Sequence, residues 1–132
     1  MKKAITILLV LCAVALASCH RLSKEAREIT GIYFNTELSQ TDPVMELRSD
    51  ATCTVRAIRP GVLTYSVDGT WNVERDSLII LLDPSTLEFS GDSLVIGDIP
   101  ARNARKILGH TEFSLQLEQD GAQYMYKRQN SN

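Results

Sequence analysis

Cysteine is scarce in this chain of 132 residues, and the three present are poorly placed for a disulfide framework. Cys12 lies inside an apolar leader, Cys19 directly follows it, and Cys53 stands alone in the remainder. No pair is left beyond residue 19 to staple a fold, so the fold must be held by its hydrophobic core. Histidine is scarcer, with two residues, His20 and His110. Together with Cys53, Met45 and Met125 these are the possible metal ligands, and none stand at ligand spacing. No metal and no cofactor is expected. An excess of positive charge is also missing. Lys2 and Lys3 fall in the leader, and the rest carries 12 basic against 16 acidic side chains, a formal charge of −4. Such a domain has no basic stripe for nucleic acid and no attraction to an anionic membrane surface. A long hydrophobic run is lacking as well. The longest, Ala4 to Ala17, falls short of the ~20 residues a membrane-spanning helix needs.

What the chain does have is an address. Lys2 and Lys3 precede the apolar run, and the run ends on the small residues Ala17 and Ser18 before Cys19. That is the layout of an export signal. Leu16-Ala17-Ser18-Cys19 resembles the lipobox of bacterial lipoproteins position by position. The resemblance implies cleavage between Ser18 and Cys19, acylation of Cys19, and anchorage of the chain to a lipid bilayer. Two or three acyl chains, at about 0.8 kcal/mol per buried methylene, make such an anchor effectively permanent. Residues 1–18 are then a cleaved signal peptide, and 19–30 are the lipidated cysteine and a tether. No aspartate follows Cys19, so the inner-membrane retention signal of enteric lipoproteins is absent. The tether mixes Lys24 and Arg27 with Glu25 and Glu28, which departs from the acidic surface-export signal of Bacteroides-type lipoproteins. Ser23 suits the cap of one or two helical turns, but nothing apolar repeats at helical spacing from His20 to Glu28. The expected location is the bacterial envelope, at the outer membrane, facing the periplasm or the cell surface.

From Gly31 to Arg128, turn chemistry recurs every 8 to 10 residues or so. Asp68-Gly69, Arg75-Asp76, Asp83-Pro84-Ser85, Gly109-His110 and Asp120-Gly121 are among these turns. Short alternating runs lie between them. The expected fold class is all-β, an antiparallel meander over 31–128 forming a small barrel or sandwich, with a disordered polar tail at 129–132. Phe113, Leu115 and Leu117 should share one face of a strand that turns at Asp120-Gly121 into one bearing Tyr124 and Tyr126. Ser77 to Leu82 reads as a strand buried on both faces. Residues 101–108 are ambiguous. Asp98, Pro100 and Gly109 suit the start and end of a short helix there, and a strand is the alternative.

Few of these residues suggest chemistry. Gly91-Asp92-Ser93-Leu94 spells the signature of the GDSL esterases, whose serine is a nucleophile supported by a later Asp-x-x-His. His110 follows Ile107 at that spacing, and Asp76-Ser77-Leu78 repeats the turn-then-strand pattern, so both copies read as turns and no catalytic residue is assigned. Asp50, Asp68, Asp76, Asp83, Asp92 and Asp120 read as turn formers. Cys53 alternates with Val55 and Ala57 and reads as a small buried apolar residue. Arg102, Arg105 and Lys106 form a local basic cluster that reads as a solvated face, with an anionic partner as the functional alternative. Tyr33, Tyr65, Trp71, Tyr124 and Tyr126 are the candidate ligand-binding residues: they either line a cavity or plug the core of a small barrel.

Gly31-Ile32-Tyr33, and later Gly69-Thr70-Trp71 before Glu74 to Leu78, resemble the lipocalin-like and NlpE-type small-barrel lipoproteins in layout. That resemblance implies a meandering barrel in the envelope, sometimes holding a hydrophobic ligand or signalling surface stress. NlpE-type domains carry a Cys-x-x-Cys pair, absent here, which counts against copper or redox sensing. The expectation is a non-catalytic binding module for a small apolar ligand or an envelope partner protein. The alternative is an inhibitor or accessory partner of an envelope enzyme, acting through an ordered projecting loop around Asp98 to His110.

Overall fold

A computed structural model describes residues 21–129. The lipobox, with Cys19, and residues 130–132 lie outside the described residues. The chain forms one short helix, α1 (Lys24–Glu28), and eight strands. These are β1 (Gly31–Phe34), β2 (Met45–Leu47), β3 (Thr52–Arg59), β4 (Leu63–Glu74), β5 (Ser77–Gly91), β6 (Arg102–His110), β7 (Ser114–Gln119) and β8 (Ala122–Gln129). Each strand pairs antiparallel with the next, and β8 returns to β1, so the sheet closes into a barrel. Closure leaves no edge around the ring.

Local chemistry explains the connections. Asp120 and Gly121 both adopt positive φ, 52° and 81°, between the paired Gln119 and Ala122. That is the Asp-Gly two-residue hairpin whose twist matches its strands. Arg75, at φ 59°, turns β4 into β5. Asp83-Pro84-Ser85 does not end a strand. It forms a bulge within β5, where the Asp83 carboxylate accepts from Ser85 N and Oγ at 3.0 and 2.7 Å.

Side-chain alternation then builds the interior. Leu78, Leu115 and Leu117 have no exposed surface and lie in one core with Trp71, Val73 and Tyr33. Ser77–Leu82 is a strand as its composition predicts, but it is buried on both faces only over Leu78, Ile79 and Ile80; Leu81 is 49% exposed. Phe113 departs from the expected face: it precedes β7 and is 61% exposed. Asp68-Gly69 and Gly109-His110, expected as turns, sit inside β4 and β6, the second beside a bulge. A Cβ on Gly69 would stand 1.9 Å from the Leu81 carbonyl oxygen, so the glycine is required by the approach of β5. Residues 102–108 resolve as strand, with Ala101 in the bend before it. Pairing with both β5 and β7 satisfies the backbone there, and this outweighs the local helix propensity.

One end of the barrel is plugged by the segment read as a tether. Ser23 caps α1 by accepting from Ala26 N, and its own N and Oγ donate to Asn72 Oδ1 and Val73 O, both at 2.9 Å. Leu22, Ala26 and Ile29 are buried in the core. These residues follow an i, i+4, i+7 spacing that extends one residue past the charged stretch, and its middle member is only alanine. That is why the stretch looks merely polar.

Candidate functional site

The other end of the barrel stays open. β6 pairs with β5 only over Ser77–Leu81, so Leu82 to Gly91 runs on without it, paired to the start of β4. Inside this half lies a cavity of about 240 Å³. Val55 and Ala57 of β3, Tyr65 and Val67 of β4, and Ile80 and Leu82 of β5 form much of its wall. The loop carrying Ile99 and Pro100 contributes at the mouth, tied down where Leu82 N donates to Ala101 O at 2.8 Å. The position follows from the fold. Large side chains and α1 fill the plugged half, while the wall at the open half presents Ala57 and valines.

One charged side chain belongs to this cavity by strand register. Leu78 pairs with Arg105 and Ile80 with Asn103, so Arg105 points inward with the two buried β5 residues. Arg102 and Lys106, the rest of the expected basic cluster, are exposed and point outward. Arg105 Nη1 donates to the Tyr126 hydroxyl at 3.2 Å. Its Nε is shielded and has no hydrogen-bond partner among the described residues. The ion pairs among the described residues are Arg56 with Glu46 at 3.5 Å and His110 with Glu28 at 3.8 Å, and neither involves Arg105. No carboxylate of the described residues lines the cavity. Burial pushes the Tyr126 phenol above its ordinary pKa despite the nearby Arg105, so it stays protonated at neutral pH.

The five aromatic candidates divide. Tyr65 and Tyr126 line the cavity. Tyr124 stacks on Tyr126, centroids 6.5 Å apart, but is 42% exposed. Tyr33 and Trp71 are core residues. Tyr33 donates to Ile29 O at 2.7 Å, and Trp71 Nε1 donates to Arg48 O at 2.9 Å. Burial pushes the Tyr33 phenol up to about 12. Cys53 is likewise buried and free, its thiol pushed up to about 11 by burial, which makes it unreactive as a nucleophile at neutral pH.

Ser93 and His110 are not brought together. Ser93 lies in a short 3₁₀ turn capped by Asp92, after the open-end terminus of β5. His110 stands beside Glu28 at the plugged end. No group of three His, Cys, Asp or Glu capable of holding a metal occurs among the described residues. Sequence reasoning missed Asn103, and it named Arg105 only as one of a basic cluster, without setting it apart from Arg102 and Lys106. A strand over 102–110 alternates Asn103 and Arg105 inward with Ile107, whereas a helix would not. The chain matches none of the protein families compared with it, and neither a curated protein nor a solved structure matches it.

Proposed function

We propose that this protein is a lipid-anchored bacterial envelope lipoprotein whose barrel is a non-catalytic binding module for a small, mainly apolar ligand. The observation that carries the reading is the cavity in the open half, walled by Val55, Ala57, Tyr65 and Val67. Its volume, about 240 Å³, falls below the roughly 300–1,000 Å³ typical of sites for drug-sized ligands. The ligand is therefore small, or inserts only part of its length. The lipobox supplies the anchor, and the open mouth would admit molecules from the envelope. Of the segment Asp98 to His110 to which the inhibitor reading points, 102–110 is barrel wall and 98–101 lies outside the strands.

Two measurements test this proposal. The first is titration of the lipidated protein in nanodiscs with octan-1-ol, against empty nanodiscs. Binding is expected for the native chain and at least tenfold weaker binding for Ala57→Leu, which fills the cavity. Equal affinities in native and variant protein, or no binding to either, would count against the site. The second concerns the anchor. Cys19→Ala should release the chain from membranes or leave it unprocessed; a variant that is still processed and membrane-bound would remove the anchoring half of the proposal.

A further inference from the structure

The apolar cavity contains a cation that the fold itself leaves without an anion. Moving a charge out of water is costly unless it is paired, and proteins normally supply a carboxylate or several carbonyls. Arg105 has neither among the described residues. Its single hydrogen bond goes to a neutral phenol, and its Nε is without a partner. Arg56, at the rim of the same cavity, shows the ordinary solution. It donates to Pro43 O at 2.7 Å and pairs with Glu46.

We infer that Arg105 and Tyr126 form the seat for the anionic group of the ligand, and that the ligand is a small apolar carboxylate. This rests on the binding reading above and specifies its ligand class. The chemistry is complementary on both sides. Tyr126 Oη accepts from Arg105 and keeps its own proton to donate to a ligand oxygen. The guanidinium faces an interior where no carboxylate competes, so its attraction for an oxyanion is weakly screened. One cation calls for one negative charge, and the valine, alanine and leucine walls suit the hydrocarbon part. Asn103 adds a polar group near the mouth, its Nδ2 held by Pro100 O at 3.2 Å.

A matched pair of probes, octanoate and octan-1-ol, tests this inference by titration calorimetry on the lipidated protein in nanodiscs, with empty nanodiscs subtracted. The native protein is expected to bind octanoate at least tenfold more tightly than octan-1-ol. Arg105→Gln should weaken octanoate by about tenfold to a hundredfold, as expected for a lost charge-assisted hydrogen bond, and weaken octan-1-ol, an uncharged acceptor, by no more than about threefold. Equal binding of the two probes to the native protein overturns the inference while the binding reading stands. Binding of neither overturns both. If circular dichroism shows Arg105→Gln unfolded, Tyr126→Phe decides: a selective loss of octanoate affinity supports the seat, and an equal effect on both probes overturns it.

Discussion

Arg128 and Arg105 both project into the barrel, from β8 at the plugged end and from β6 at the open end, and their surroundings differ throughout. Arg128 donates to the carbonyls of Glu28, Thr30 and Thr111, and so ties α1, the start of β1 and the β6–β7 turn together. Arg105 has one phenol. Around Arg128 the interior is filled by α1 and large side chains; around Arg105 there is a cavity. The contrast teaches how a barrel this small divides its labour. A domain of about a hundred residues has limited apolar area for stability, and no disulfide supplements it among the described residues. Packing is concentrated in one half, which allows the other half to hold space and an uncompensated charge.

If that division holds, truncations should be costly at one end and mild at the other. Leu117→Ala, in the filled half, is expected to destabilise by about 2–5 kcal/mol, as for fully buried leucines that leave a cavity. Leu82→Ala, on the wall of an existing cavity, should cost no more than about 1 kcal/mol, since it mainly enlarges a space already present. Urea unfolding measures both, and similar losses would erase the distinction between the halves. Next in size is Gly69→Ala. The added methyl meets the Leu81 carbonyl at 1.9 Å and must move backbone, which is expected to cost about 1–3 kcal/mol on the same assay. A neutral result would mean that β4 and β5 can separate freely there.

Alkali should probe the buried ionisable groups of the filled half, with no effect near neutrality. Cys53 and Tyr33 lie in the filled half, and burial raises both, to about 11 and about 12. The unfolded chain loses these protons earlier, near 9 and 10. Both groups therefore contribute stability that is complete below the unfolded pKa and lost as pH climbs through the folded one. Stability should decline from about pH 9 to pH 12. Cys53→Ala should delay the onset toward pH 10, where tyrosine ionisation takes over. Unfolding midpoints across that range check the order, and an unchanged onset in Cys53→Ala would show that the thiol is not the first group to resist ionisation.

Much of the wall was legible in the sequence. The Leu115–Leu117 alternation, the Asp120-Gly121 turn and the apolar Ser77–Leu82 strand all have local causes, and these local signals agree with the tertiary outcome. The site was less legible, for a specific reason. Its central residue lies in 102–110, where helix-favouring residues conceal a strand created by pairing with distant β5 and β7. Until that pairing is known, Arg105 cannot be separated from Arg102 and Lys106. The plug was obscured by a different effect: Ala26 carries too little hydrophobicity to mark a buried helix face beside four charged neighbours. Gly69 resembled a turn residue because close backbone approach and turn formation select the same amino acid.

The smallest expected effect separates the two arginines most sharply. Arg128→Met removes the charged donor from three carbonyls at the plugged end, that of Thr30 in part-buried surroundings, and should cost about 1–3 kcal/mol, the net worth of hydrogen bonds from a charged group. Arg105→Met strands no carbonyl and no carboxylate, and it replaces a half-buried charge, whose Nε is shielded without a partner, with an apolar chain of similar length. Substitutions of that kind are neutral or stabilising, so the change should lie within about 0.5 kcal/mol of zero or favour the folded state. The same variant should lose octanoate. Stability retained with binding lost is the signature of a charge kept for a ligand. If Arg105→Met instead destabilises as much as Arg128→Met, the two arginines serve the fold alike, and the charge in the cavity is structural.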